Sequence, residues 1–188
     1  MSKDLTKGLI LGGIVGLVGG FLVGRKATPQ AQPPVSAPAP AAAPAPMPQA
    51  HADLHVHIFN LEQTVRREPK NLEAWVALGN AAFDAHLHQK SIDAYSRALE
   101  LDPKNVSVIT DQGVMYREVK DFDRAIANFE RVQKLEPDHL QSLFNLGVVY
   151  GTDLHQPDRA RRAFQRVVEK HPGSPQAAQA RMALAELK

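Results

Sequence analysis

The sequence predicts an all-α fold: a solenoid of antiparallel helix pairs, carried behind an N-terminal transmembrane helix and a disordered Pro/Ala linker. Three observations carry this reading. Pro69, Pro103 and Pro137 stand 34 residues apart, and Pro172 follows after 35. Gly79, Gly113 and Gly147 keep the same step. Between these punctuating residues the apolar positions recur at helical spacing. A period near 34 residues marks a stacked helix–turn–helix array, in which each unit buries its apolar face only against its neighbours.

The first element, residues 1–26, reads as a membrane anchor. From Gly8 to Val23 every residue is Gly, Leu, Ile, Val or Phe. The apolar stretch from Leu5 to Val23, as a helix, spans about 28 Å, close to the roughly 30 Å of a hydrocarbon core. Lys7 snorkels at one end, and Arg25 and Lys26 mark the other. The rival reading is a cleaved signal peptide, which needs small residues where Arg25 and Lys26 stand. Gly8, Gly12, Gly16, Gly20 and Gly24 fall on one helix face. They either promote self-association through overlapping G-x-x-x-G motifs or reflect the tolerance of membrane helices for glycine. Flanking charge is balanced, Lys3 and Lys7 against Arg25 and Lys26. The expected arrangement is a single-pass cell-membrane protein with its N-terminus inside and its repeats periplasmic or otherwise extracytoplasmic.

Residues 27–50 are nearly all Ala, Pro and Gln. Proline pins φ and removes donors, and there is almost nothing large to bury, so the segment reads as a polyproline-like tether reaching at most about 75 Å. The alternative, a proline-recognition ligand, lacks a basic residue within the tract.

The array follows. Residues 51–71 form an N-terminal capping helix, expected over Asp53–Glu68 with Leu54, Ile58, Leu61 and Val65 on one face. Three repeats occupy 72–105, 106–139 and 140–174, and residues 175–188 form a C-terminal capping helix. The first helices carry Trp75-x-x-Leu78-Gly79, Ile109-x-x-Gln112-Gly113-x-x-Tyr116 and Leu143-x-x-Leu146-Gly147-x-x-Tyr150. The second carry Ser91-x-x-x-Tyr95-x-x-Ala98, Ala125-x-x-x-Phe129-x-x-Val132 and Ala160-x-x-x-Phe164-x-x-Val167. Small residues let helix axes approach: Gly79 is expected to face Ser91, Gly113 to face Ala125 and Gly147 to face Ala160. The aromatic side chains, Trp75 included, then fill the space between hairpins. Asn71, Asn105 and Ser174 are expected helix caps.

These slots resemble the tetratricopeptide repeat family over about 120 residues. The departures are Ala82 for a tyrosine, Gln112 for a leucine, and one extra residue in the third repeat, expected in the turn from Gly151 to Asp158. The resemblance implies a right-handed solenoid whose first helices line a concave groove. Its partner-binding positions would be Val76, Asn80, Phe83, Thr110, Val114, Arg117, Phe144, Asn145 and Val148. Chaperone-linked members clamp a terminal carboxylate with lysines, arginine and asparagines. Of that set only Asn80 fits; the other positions hold Val76, Asp111, Gln141 and Asn145, and Asp111 opposes a carboxylate. The order anchor, tether, array is similar to bacterial membrane-anchored members, some of which present apocytochrome c for haem attachment.

The remaining constellations are thin. A net charge of +2 gives no nucleic-acid footprint, and the absence of cysteine excludes disulfides, thiolate metal sites and cysteine nucleophiles. His51, His55 and His57 cluster at the start of the array; they either carry metal or haem iron, the property of a carrier, or are solvated. Arg159, Arg161, Arg162 and Arg166 form a basic stripe, either a solvated face or a contact for an acidic partner or lipid. No catalytic motif is present, and no cofactor is expected. The expected function is a membrane-anchored, non-enzymatic scaffold that binds a protein or peptide in its groove, with homo-oligomerisation through the glycine face.

Overall fold

The computed structural model describes residues 49–187; the anchor, its glycine face and the linker through residue 48 lie outside the described residues. Eight α-helices run in order: α1 Gln49–Arg67, α2 Leu72–Asp84, α3 His88–Leu101, α4 Val106–Glu118, α5 Phe122–Leu135, α6 Leu140–Val148, α7 Pro157–Lys170 and α8 Pro175–Glu186. A π-helical turn, Val149–Asp153, follows α6. Among the described residues there is no strand and no helix long and apolar enough to cross a membrane. Helix α1 begins four residues before the expected Asp53, taking in Gln49 and Ala50, which are good helix formers.

Hairpins α2–α3, α4–α5 and α6–α7 stack in chain order between α1 and α8. Helix α6 also touches α4 and α8. Helices α4 and α6 therefore share a layer, which in a solenoid of this kind is the layer of first helices, with α3, α5 and α7 on the other side. The core is continuous through all three hairpins, with Tyr95, Ile109, Phe129, Leu143, Val149 and Val167 almost wholly buried.

The glycines sit where a side chain will not fit. A Cβ on Gly113 would lie 2.6 Å from Cε1 of Phe129, and one on Gly147 would lie 2.5 Å from Cε1 of Phe164; Gly79 faces Tyr95 in the same way. The expected pairing with the small residue of the second helix holds for Gly79, which Ser91 contacts, but in all three hairpins the atoms nearest the glycine belong to another side chain. That side chain is the aromatic residue four positions later, whose ring edge closes on the glycine. The small residues do related jobs: Ser91 Oγ donates to the carbonyl of Gly79 (3.0 Å), and Ala160 abuts Gly151.

The turns repeat as well. Helix α2 closes with His86 N–H donating to Phe83 O (3.0 Å) and Leu87 N–H to Ala82 O (2.8 Å), and α4 closes identically through Lys120 and Asp121. This is a Schellman motif, and its left-handed residue is His86 or Lys120 (φ 56° and 62°) where glycine is usual. In the third hairpin His155 takes that conformation (φ 51°). The closing bond, Gln156 N–H to Tyr150 O (2.7 Å), spans one residue more. The extra residue of repeat three is thus absorbed as a π turn at the end of the first helix, not only in the following loop, because a helix takes up an insertion by widening one turn.

Asn71, Asn105 and Ser174 accept hydrogen bonds from the N–H groups of Ala74, Val108 and Ala177. His139 fills the same slot in repeat three through Nδ1, accepting from Ser142 N–H (3.3 Å). Each periodic proline offers a carbonyl to a later donor: Pro69 to Trp75 Nε1, Pro103 to Arg131, Pro137 to Arg166 and Pro172 to Arg181. Gln112, in a slot usually held by leucine, is buried but satisfied. Its Nε2 donates to Ser96 Oγ (2.8 Å) and Ile92 O (3.2 Å), and its Oε1 accepts from Asn128 (3.0 Å). One amide thereby ties α3, α4 and α5 together, and apolar neighbours exclude water from it.

Candidate functional site

The nine groove positions fall on α2, α4 and α6, the inner layer. Val76, Phe83, Val114, Phe144 and Val148 are half-buried and pack against the core. They present apolar edges without being free anchors; Phe144, for example, lies 5.8 Å from the ring of Phe164. Polar replacement here therefore also removes core contacts. Thr110 is buried and its hydroxyl donates to Val106 O (2.8 Å), so it faces inward rather than into a ligand space. Asn145 is half-buried and accepts from Gln141 (3.4 Å).

Arg117 is committed elsewhere. Its Nε and Nη2 donate to the two carboxylate oxygens of Asp153 (2.5 and 3.2 Å), which the π turn brings under α4. The hydrogen bond to Asp153 raises the Arg117 pKa further, so the guanidinium stays charged. Sequence reading placed Arg117 in the groove as a ligand-facing cation and missed Asp153, whose position depends on the inserted residue.

A cavity of about 300 Å³ opens between α2, α3 and α4 and is lined by Asn80, Phe83, Asp84, Tyr95 and Asp111. Two of these, Asn80 and Phe83, are predicted groove residues, and Asp84 and Tyr95 are additions that only the fold reveals. Tyr95 donates its hydroxyl to Oδ1 of Asn80 (2.8 Å), fixing the amide at the mouth. Burial raises the Tyr95 pKa, with Asp111 and Asp84 adding to the effect, so the phenol stays neutral. Burial also pushes the Asp111 carboxyl up. Among the described residues neither Asp84 nor Asp111 is in an ion pair.

His55 and His57 do not come together. His55 and His57 are exposed and, two residues apart on α1, point about 200° apart; His51 lies near the start of the same helix. Among the described residues no group of three or more His, Cys, Asp or Glu is placed to hold a metal ion. The basic stripe is largely spoken for. Arg159 stacks over Tyr150 at 4.0 Å and donates to its hydroxyl (2.7 Å). Arg161 bonds Asp158 and Leu187 O, and Arg166 bonds Pro137 O.

Comparison with known proteins agrees with this architecture. Tetratricopeptide repeat family models match residues 72–105 and 116–186. The chain is 25% identical over 112 residues to anaphase-promoting complex subunit 3 of Schizosaccharomyces pombe, covering 60% of this chain and 17% of that protein. It is 32% identical over 87 residues to the protein O-mannosyl-transferase TMTC1 of Mus musculus, covering 44% and 9%. The chain thus spans only a small part of these relatives. Among solved structures, MamA superposes with a TM-score of 0.67 at 19% identity, over 74% of this chain and 79% of that one. The first tetratricopeptide domain of Spaghetti (RPAP3), bound to the HSP90 peptide SRMEEVD, gives 0.56 at 20% identity, over 62% and 94%. With its period, hairpin contacts and family matches in agreement, the chain belongs to the tetratricopeptide repeat family.

Proposed function

We propose that this protein is a membrane-anchored scaffold that recruits a partner polypeptide into the concave face of its repeats. The observation that carries the reading is the inner layer itself. Apolar edges of Val76, Phe83, Val114, Phe144 and Val148 stand with the exposed amide of Asn80 on the first helices of the three hairpins. That pattern suits an extended or helical peptide bearing apolar anchors. The peptide seated on the similar RPAP3 domain supports this class of ligand. The acidic sequence of that peptide does not suit this groove, where Asp84 and Asp111 stand and Arg117 is neutralised by Asp153. The anchor and Pro/Ala tether would hold the array at a membrane while leaving it free to search, in an extracytoplasmic location. Presentation of a client such as apocytochrome c during envelope assembly is one role that fits this plan.

Selection of a displayed peptide library on the full-length protein in detergent tests the reading. Bound peptides should lose about ten- to a hundredfold in affinity with Val76→Ser or Phe144→Ser, measured where each variant is still fully folded. No enrichment, or binding indifferent to both substitutions, rules out the groove.

A further inference from the structure

We propose that the pocket between α2, α3 and α4 receives a lysine or arginine side chain of the bound polypeptide, so that the partner segment is basic at one fixed position. This inference rests on the groove reading above and specifies its ligand. Charge is segregated in this chain. Its formal net charge is +2, yet the inner helices α2, α4 and α6 carry the carboxylates Glu73, Asp84, Asp111 and Glu118 against a single cation, Arg117. Arg117 is already paired with Asp153 and lies 3.9 Å from Glu118. The inner surface therefore presents an uncompensated negative potential, which draws cations and repels acidic tails.

The pocket has the shape and chemistry to use that potential. Its volume, about 300 Å³, is at the small end of ligand sites, which run from roughly 300 to 1,000 Å³, and suits one side chain better than a cofactor. The half-buried ring of Phe83 offers an apolar wall for an aliphatic stem and a π-face for a cationic head, and the buried Tyr95, packed against Gly79, closes the floor. Asp84 and Asp111 supply acceptors, and neither has an ion pair among the described residues. The Tyr95 hydroxyl is spent on Asn80, so it does not compete for the incoming donors. A partly buried carboxylate without a cation is disfavoured by desolvation, and an incoming ammonium or guanidinium reverses that penalty.

The test uses the same library selection on the full-length protein, repeated on the double variant Asp84→Asn, Asp111→Asn, whose substitutions conserve shape. The wild-type protein should enrich peptides with lysine or arginine at one fixed position. Replacing that residue by norleucine should cost about ten- to a hundredfold in affinity on the wild type and little on the double variant. Enriched peptides that lack a basic residue but still need Phe144 keep the groove and overturn the cationic pocket. An unchanged lysine preference on the double variant also overturns it. Absence of any enriched peptide overturns both readings, provided the protein shows its normal thermal unfolding.

Discussion

Gly113→Ala separates the packing account from simple helix propensity, because the two predict opposite signs. Gly113 lies within α4, where alanine is favoured over glycine by about 1 kcal/mol. The new methyl would meet the Phe129 ring at 2.6 Å, where ordinary contact begins near 3.4 Å. Phe129 is fully buried, so in a close-packed interior its ring moves only by displacing neighbours. Overpacking of this kind costs about 1–3 kcal/mol, and a shift approaching 1 Å in a rigid ring belongs at the upper end. The net expectation is a loss of about 2 kcal/mol. With a urea dependence of about 2 kcal/mol per molar, the midpoint followed by far-UV circular dichroism should fall by about 1 M. The same substitution in a Phe129→Leu background, where the ring edge is gone, should be neutral or stabilising. A Gly113→Ala midpoint at or above wild type would refute the ring-over-glycine argument, as would an equal loss in both backgrounds.

Three further outcomes follow from particular groups. Burial raises the Asp111 carboxyl pKa, so the folded state binds more protons than the unfolded chain, and stability falls as pH rises from the ordinary aspartate value through the raised folded one. Asp111→Asn should therefore melt higher than wild type at pH 7, with the difference closing as the pH falls through the raised Asp111 pKa towards the ordinary aspartate value; a lower melting point at pH 7 contradicts this. Lys120 holds a left-handed conformation, whose cost of about 1–2 kcal/mol exceeds the entropic penalty of glycine. Lys120→Gly should accordingly stabilise by about 0.5–1 kcal/mol in chemical denaturation. If residues 1–26 are an uncleaved anchor, the full-length chain should stay in the membrane pellet after carbonate extraction, and a trimmed soluble product ends that proposal.

The repeat architecture was legible in the sequence because its determinants are local and recur. A proline stops each second helix, a capping residue starts the next first helix, and a glycine marks each hairpin at the same step. His139 shows how far that legibility extended. It caps α6 at the 34-residue spacing already visible in Asn71 and Asn105, but histidine is an uncommon cap and does not announce itself. What each slot touches was a different matter. Gly113 and Ala125 share a hairpin, yet Phe129 rather than Ala125 fills the space above the glycine. That choice depends on the angle and rise between two packed helices, which periodicity does not encode. The π turn had the same origin. An extra residue could be counted, but only packing decided that α6 would widen and carry Asp153 beneath Arg117. That displacement turned a predicted groove cation into half of an internal ion pair, leaving Asp84 and Asp111 to set the charge of the inner face. Residue types and period alone determined the family and the stack. The chemistry of the groove was decided by tertiary structure, because it depends on which charges find partners at long range.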